Sequence, residues 1–248
     1  MIEALRTARG VLRSMRIYYG GRPRNAAMDE FYRQFIHPGD LAFDIGAHVG
    51  DRVACFRRLG ARVVALEPQP ALARSLRLLF AFDRQVTIEQ VAIARQRGSV
   101  ELMINVDNPT VSTASSDFID AAKDAGGWRE QRWTKSISVA AVTLDALIVR
   151  HGTPAFVKID VEGFEAEALA GLSQPVAALS FEFTTIQRDV ARAAIARCEA
   201  LGYASFNAAL GESQALVHPT WIDAAALRQW LTALPHEANS GDIYARFT

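Results

Sequence analysis

The feature that most constrains the fold of this chain is the stretch 41–51, which reads LAFDIGAHVGD. It begins with an apolar run of β-branched and aromatic residues, breaks at two glycines, and gives way to a helical pattern from Arg52. Such a run is typical of a strand buried on both faces, as in a parallel sheet. A strand that leads through a glycine turn into a helix aims backbone N–H groups at a ligand. The stretch therefore predicts an α/β domain with a ligand site at this turn.

The composition argues against several classes of protein. The 27 basic and 27 acidic residues leave no net charge, so a protein that holds nucleic acid electrostatically is not expected. No run approaches the roughly 18 apolar residues of a membrane span, and the start lacks an apolar signal core. We therefore expect a cytoplasmic protein without an integral membrane segment. Cys55 and Cys198 are expected to be buried and reduced.

Strand and helix patterns alternate along the chain and predict the fold class. Two βαβ units in succession indicate a doubly wound, mostly parallel sheet. With the strand at 41–45, the further predicted strands make seven, and they lie at 61–66, 86–88, 155–161, 177–183, 203–206 and 242–247. A single α/β domain with elaborations is favoured for a chain of 248 residues.

The middle of the chain does not continue this alternation of strands and helices. Residues 99–106 and 136–142 alternate as strands do, and they could pair with each other or extend a sheet edge. Between them, 107–135 is a long polar excursion, which is usually a functional lid or a disordered loop. We interpret it as part of a substrate cover with a short helix near 118–125, so the domain carries an inserted strand pair and lid.

The N-terminus is predicted to be a helical extension, residues 1–30, ahead of a main domain at 31–248. It is rich in arginine, and its apolar residues fit one stripe of a helix: Ile2, Leu5, Val11, Leu12 and Met15. Such a helix could contact a membrane surface, an acidic substrate or a second subunit. We favour a surface helix docked on the domain.

Asp44 is anomalous because a carboxylate in an apolar strand end costs several kcal/mol unless it is paired or hydrogen-bonded. The turn reads D-x-G-x-H-x-G, whereas dinucleotide sites read G-x-G-x-x-G so that bare backbone meets the pyrophosphate. Here His48 places a side chain at that point. A carboxylate can pair with an ammonium group, and free N–H groups can donate to a carboxylate. The methionine end of S-adenosylmethionine carries both an ammonium group and a carboxylate. Asp44 could also cap the N–H groups of the turn itself.

Glu67 ends the second predicted strand, just before Pro68. A carboxylate there can accept hydrogen bonds from both ribose hydroxyls of a nucleotide; the alternative is a surface acid in a loop. Val91 and Ala92, beyond the third strand, could flank the adenine or simply pack at the strand end.

Lys158, Asp160 and Glu162 form a second anomaly. At a spacing of two they share one side of a predicted strand, and charges there usually point into the crevice at the carboxyl ends of parallel strands. Glu182 would lie beside them if the two strands are neighbours. They could serve as a base for the acceptor, a metal clamp, or an ion pair of Lys158 with a carboxylate. No metal is predicted, because no spacing signature of a metal site is present.

These segments together resemble the FkbM family of S-adenosylmethionine-dependent methyltransferases. The resemblance runs from about residue 37 to residue 182, and KIDVEG is its most specific motif. The motifs in order are PGDLAFDIGAHVGD, VVALEPQP, VTIEQVAIA, TLDAL, VKIDVEGFEAEALAGL, SFEFT and, near the end of the chain, GDIYARF.

The resemblance implies a class I, Rossmann-like fold and S-adenosylmethionine as the cofactor. It assigns the following residues to cofactor binding: Asp44, Gly46, His48 and Gly50 around the methionine end, Glu67 and Pro68 at the ribose, Val91, Ala92 and Asp160. It places Asp160 and Glu162 in the active site, where either would orient or deprotonate the acceptor. His48, where the family often has asparagine, is the second candidate base because it could titrate.

Members of the family methylate hydroxyl oxygens of secondary metabolites and sugars, so the resemblance implies a small-molecule acceptor in natural product biosynthesis. Methylation of carbon or nitrogen, or a non-catalytic S-adenosylmethionine-binding module, remain alternatives. The sequence is also compatible with a homodimer.

Overall fold

A computed structural model gives the fold at residues 2–19, 21–126 and 128–247, with the backbone alone at 2–8, 22 and 124. The helices and strands in chain order are α1 (Ile2–Tyr18), α2 (Arg22–Tyr32), β1 (Leu41–Ile45), α3 (Asp51–Arg58), β2 (Arg62–Leu66), α4 (Pro70–Leu79), β3 (Val86–Glu89), β4 (Ala92–Ile93), β5 (Gly98–Ile104), α5 (Ser116–Asp124), β6 (Lys135–Val142), α6 (Leu144–His151), β7 (Phe156–Ile159), α7 (Glu165–Ala170), β8 (Ala178–Thr184), α8 (Arg188–Ala200), β9 (Ser205–Leu210), α9 (Ala224–Ala233) and β10 (Ser240–Arg246).

The main sheet has seven strands in the order β3-β2-β1-β7-β8-β10-β9, and this confirms the predicted doubly wound architecture. Every pairing is parallel except those of β10, which runs antiparallel to both β8 and β9. The strand order reverses between β1 and β7. Open α/β sheets bind ligands at such a reversal, beyond the carboxyl ends of the strands.

The central strand β1 is buried on both faces, as its apolar sequence predicts. Phe43 belongs to the core cluster on one side of the sheet, whereas Ala42 belongs to the cluster on the other side. Side chains of successive strand residues point to opposite faces, so both layers of helices cover this strand. The strand therefore places its last residues at a fixed point between two packed layers.

The predicted strand pair forms a second sheet of three strands in the order β4-β6-β5. β5 and β6 pair antiparallel with each other, and β4 pairs parallel with β6. Of the two alternatives for 99–106 and 136–142, pairing with each other is confirmed. The excursion between them contains α5, near the predicted helix at 118–125, while Gly127 lies outside the described residues.

The helix α1 docks on the domain, as we favoured. Val11 packs with Val49 and Leu72 in a small apolar cluster. Leu12, predicted on the same stripe, is 65% exposed, because a neighbouring residue points about 100° away on a helix. The side chains of Ile2 and Leu5 lie outside the described residues. The predicted boundary at residue 30 falls within α2.

Both cysteines are free thiols buried in the core, as predicted. Among the described residues, no helix is both long and apolar enough to cross a membrane.

Candidate active site

A crevice of about 940 Å³, which includes space open to solvent, lies at the reversal of strand order. Its walls are the turn after β1, the ends of β2 and β4, the turn after β7 and part of the segment 109–114. The structure brings most of the predicted site residues together along this crevice, namely Asp44, Gly46, His48, Glu67, Pro68, Val91, Ala92, Asp160 and Glu162.

Gly50, the remaining predicted residue, is not among the described residues that line the crevice. It precedes α3 with a left-handed φ of 83°, and its N–H donates to the Ala47 carbonyl. A Cβ at this position would lie 2.6 Å from Leu76 Cδ2 and 2.9 Å from Phe80 Cε2. The turn and the packing of α4 therefore explain this glycine without a ligand.

Gly46 permits a close backbone contact between the two turns that flank the crevice. Its φ is 85°, and a Cβ here would lie 1.8 Å from the carbonyl oxygen of Asp160. The Asp160 N–H in turn donates to the Ile45 carbonyl over 2.9 Å. A side chain at position 46 would push these turns apart, so the glycine fixes where Asp160 lies.

Asp44 is a buried carboxylate with an unsatisfied oxygen. The residue is 2% exposed, and its Oδ2 atom has no hydrogen-bond partner among the described residues. Burial, with a smaller contribution from Asp51, raises the pKa of Asp44 to about 7, although Lys158 opposes the shift. A buried polar atom without a hydrogen bond raises the free energy of the folded state. This oxygen is therefore a candidate acceptor for a donor group of a ligand.

Three N–H groups of the turn after β1 are not free, which corrects the expectation that they meet a ligand. Gly46 and Ala47 donate to the Leu66 carbonyl over 3.0 and 2.9 Å, and His48 donates to Glu67 Oε2 over 2.9 Å. The turn folds against Leu66 and Glu67 at the end of β2, whose oxygens accept these bonds. These three groups are therefore already used within the protein.

Arg52 places a guanidinium in the crevice, and no pattern in the sequence singles this residue out. It lies in the first turn of α3, lines the crevice, and its Nε–H has no partner among the described residues. Its terminal nitrogens pair with Asp51 over 2.6 Å and with Glu212 over 2.9 Å. These ion pairs hold the guanidinium in place beside the turn.

Glu67 is buried, so the alternative of a surface acid is wrong. Its two carboxylate oxygens accept N–H bonds from Gln69 over 2.8 Å and from His48 over 2.9 Å. Burial raises the pKa of Glu67 to about 8 despite these two bonds. Each oxygen keeps a second lone pair, so the side chain could also accept bonds from two hydroxyls in the crevice.

Lys158 lies on β7, but the strand ends at Ile159, so Asp160 and Glu162 occupy the following turn instead of one strand face. Lys158 Nζ is 3.0 Å from Asp160 Oδ2 and 3.0 Å from Asp242 Oδ1. Burial opposes a charge on each group, but their pairing outweighs it: the pKa of Lys158 lies well above its usual value and that of Asp160 below.

Glu162 adopts a left-handed φ of 54°, which is uncommon for any residue other than glycine. Its carbonyl accepts a hydrogen bond from Thr113 Oγ1 over 2.6 Å. Glu165 Oε1 accepts from the N–H groups of Val161 and Gly163 over 3.0 and 3.3 Å. The tertiary structure thus holds a strained turn, a feature that clusters at functional sites.

Glu182 on β8 joins the carboxyl groups of this turn, because β8 pairs directly with β7 as anticipated. Carboxylate oxygens of Asp160, Glu162 and Glu182 lie within 4.8 Å of one another. Burial, together with the charge of Asp160, raises the pKa of Glu162 and of Glu182 well above the usual value for a glutamate. Ionisation of Glu162 and of Glu182 is therefore disfavoured beside Asp160, whose ionised form Lys158 stabilises.

His48 links the turn to the cover of the crevice. Its ring packs edge-to-face on Tyr18 with centroids 5.4 Å apart, and its Nε2 is 3.3 Å from Thr110 Oγ1. Burial lowers the pKa of His48 to about 4. An efficient general base has a pKa near the working pH, so these contacts favour a neutral hydrogen-bonding group.

The cover itself comes from segments that no motif marks. Pro109, Thr110 and Ser112 line the crevice, as expected of a substrate cover within 107–135. Gln69 Nε2 donates to the Pro109 carbonyl over 3.0 Å, which fastens this segment to the main sheet. Glu212, which follows β9, also lines the crevice.

A family model described as the methyltransferase FkbM domain matches residues 44–233. The chain belongs to the FkbM methyltransferase family. It is therefore an S-adenosylmethionine-dependent methyltransferase, and the resemblance seen in its motifs is confirmed. No curated protein matches this FkbM methyltransferase significantly.

Several solved structures are similar to this chain. A precorrin-6y C5,15-methyltransferase from Geobacter metallireducens GS-15 is 14% identical with a TM-score of 0.43, over 90% of this chain and 87% of that one. An Aeropyrum pernix fibrillarin, solved with natively bound S-adenosyl-L-methionine, is 8% identical with a TM-score of 0.44, over 85% and 68%. A TehB-like S-adenosylmethionine-dependent methyltransferase from Corynebacterium glutamicum is 11% identical with a TM-score of 0.44, over 90% and 88%.

Proposed function

We propose that this FkbM methyltransferase methylates a hydroxyl oxygen of a small molecule, such as a natural product or a sugar. The observation that carries the proposal is the group of carboxyls formed by Asp160, Glu162 and Glu182, two of which, Asp160 and Glu162, line the crevice. An ionised carboxylate accepts a hydrogen bond from a hydroxyl, and a protonated one donates or accepts. The group therefore suits a neutral acceptor that must lose a proton.

Other residues of the crevice suit the cofactor. The unpartnered oxygen of Asp44 would take the ammonium group of S-adenosylmethionine, and the guanidinium of Arg52 would take its carboxylate. Glu67 would accept bonds from the ribose hydroxyls. Val91 and Ala92 would flank the adenine, where their small side chains leave room.

When bound, S-adenosylmethionine supplies a methyl group on a positively charged sulfur. The residues of the crevice would position the acceptor hydroxyl, and such positioning is worth up to ~7–11 kcal/mol. A hydroxyl is about as weak an acid as water, whose pKa is ~15.7. Asp160, whose ionised form Lys158 stabilises, would accept the proton that the hydroxyl loses when its oxygen is methylated.

The charge of the crevice bears on the class of acceptor. Arg52 and Lys158 line it, but they are already paired with Asp51, Glu212 and Asp160, so the crevice offers a polyanion such as nucleic acid no free positive charge among the described residues. A cationic amine would be attracted by the same acids, which makes methylation of nitrogen the second candidate. The cover over the crevice further favours a small molecule over a polymer.

Methyl transfer from deuterated S-adenosylmethionine to panels of alcohols, sugars and amines tests the proposal. We expect a mass increase on hydroxyl acceptors, with the label located on oxygen by nuclear magnetic resonance. A label found only on amines or on carbon would contradict the assignment.

Asp160→Asn is expected to lower kcat by about 10²–10⁴-fold, the usual contribution of a general base, which exceeds the rise in the Kd for the cofactor that its predicted contact with the cofactor would cause. Asp242→Asn is the matched comparison, because Asp242 pairs with the same Lys158 but is not among the described residues that line the crevice. Steady-state kinetics and calorimetric titration of both variants measure these effects. Equal losses in the two variants would assign Asp160 to holding Lys158 instead of to proton transfer.

Cofactor affinity is expected to depend on pH through Asp44. Below its pKa of about 7, Asp44 carries a proton that must leave before an ammonium group can pair with it. For one such group, affinity falls roughly tenfold between about pH 7.5 and about pH 6. Titration calorimetry across this range measures the change, and Asp44→Asn should flatten it. An unchanged pH profile in that variant would show that another group titrates.

A further inference from the structure

The carboxyl groups of Asp160, Glu162 and Glu182 converge from two elements, the turn after β7 and the strand β8. One oxygen of each lies within 4.8 Å of the others. Glu162 is 7% exposed, and its Oε2 has no hydrogen-bond partner among the described residues. Glu182 Oε2 is also without a partner in this part of the chain. Unpaired buried carboxylate oxygens are costly and point to an absent partner.

The neighbouring lysine does not supply that partner. Lys158 Nζ contacts Asp160 and Asp242, 3.0 Å from each. Its single positive charge therefore serves two carboxyl groups, and no ion pair joins it to Glu162 or Glu182 in the described structure. Carboxyl groups this close cannot all ionise unless a further positive charge lies among them.

We propose that Asp160, Glu162 and Glu182 bind one divalent cation. The donors are all carboxylate oxygens, which hard cations such as Ca²⁺ and Mg²⁺ prefer. Calcium ligands lie ~2.3–2.6 Å from the ion, so two of them are at most about 5 Å apart, whereas two magnesium ligands are at most about 4.2 Å apart. The three oxygens lie within 4.8 Å of one another, close enough for small side-chain movements to bring all of them onto one ion of either kind.

Two of the three proposed ligands line the crevice, and this position suggests what the cation does. Asp160 and Glu162 line the crevice, so the ion would lie beside the acceptor and could bind its hydroxyl oxygen. A bound divalent cation lowers the pKa of a coordinated hydroxyl group. This role rests on the proposed function, whereas binding of the ion does not.

Calorimetric titration of the full chain with Ca²⁺ and, separately, with Mg²⁺, in the absence of cofactor and acceptor, tests the site. We expect one ion per chain with a Kd between about 10 μM and about 1 mM. Glu162→Gln and Glu182→Gln should each weaken binding at least about tenfold, and the double variant should not bind. Glu167→Gln, a carboxylate of α7 that pairs with Arg95, is the matched control and should bind as the unmodified protein does.

Cofactor affinity shows whether each variant is folded, since Asp44 and Glu67 are unchanged. The inference is overturned if neither ion binds saturably up to about 10 mM, or if the double variant binds as tightly as the unmodified protein. Ion binding in a protein that methylates no hydroxyl would contradict the proposed function alone. Methyl transfer to hydroxyls without ion binding would contradict the cation site alone.

Discussion

Asp44→Asn is expected to weaken S-adenosylmethionine binding by about 30-fold or more. Truncating one partner of a buried charge pair costs about 2–5 kcal/mol, because the other charge is left desolvated and unpaired. In this protein the other charge would be the ammonium group of the cofactor, which would meet the unsatisfied Asp44 oxygen. Calorimetric titration of the full chain with S-adenosylmethionine measures the change.

A measurement of stability distinguishes weaker cofactor binding by Asp44→Asn from misfolding of the variant. Burial raises the pKa of Asp44 to about 7, above the ~3.9 of an unfolded aspartate, so the native state binds more protons between these values. This group therefore lowers the free energy of unfolding as the pH rises from about 4 to about 7. At about pH 8 the Asp44→Asn variant should be at least as stable as the unmodified protein. Asp189→Asn, a surface carboxylate on α8, is the control and should bind normally.

A variant that binds S-adenosylmethionine normally would remove Asp44 from the cofactor site. A variant that loses binding together with its thermal transition would instead show that the carboxylate stabilises the fold.

Gly46→Ala is expected to destabilise the protein and abolish methyl transfer. Its left-handed φ would cost a side chain ~1–2 kcal/mol, and overpacking against the Asp160 carbonyl, 1.8 Å from the new Cβ, would add ~1–3 kcal/mol. For a chain of this size the Tm should fall on the order of 10 °C. Activity should fall further than stability explains, because the turn that carries Asp160 must move away.

Gly98→Ala is the matched control. Gly98 begins β5, nothing lies within 4 Å of a Cβ built there, and its φ is not in the left-handed region. Thermal unfolding and methyl-transfer assays of the two variants make the comparison. Normal activity of Gly46→Ala would mean that the two turns can separate without consequence, and the close contact would then have no role in the site.

The sequence reveals only part of the turn after β1. The sequence identifies Asp44 because a carboxylate is out of place in an apolar strand, and the structure leaves one of its oxygens unsatisfied. It does not reveal that Gly46, Ala47 and His48 donate their N–H groups to the end of β2. Those partners lie on the next strand, so no local pattern encodes them.

The carboxyl groups that follow β7 are likewise only partly predictable from the sequence. The spacing of Asp160 and Glu162 marks them as unusual, but β7 ends before both, and the left-handed turn at Glu162 redirects its side chain. Arg52 looks like any surface arginine of a helix until α3 is placed beside the sheet. The cover from 109–114 carries no motif at all.

The order of strands and helices, the burial of β1 and the residues that break the apolar pattern are determined by the sequence alone. These features follow from side-chain periodicity and from the cost of burying charge, both of which act locally along the chain. Which carboxyls converge, which N–H groups are already paired and which arginine faces the crevice were decided by the tertiary structure. Each depends on contacts between segments far apart in sequence, and only packing brings their atoms within hydrogen-bonding distance.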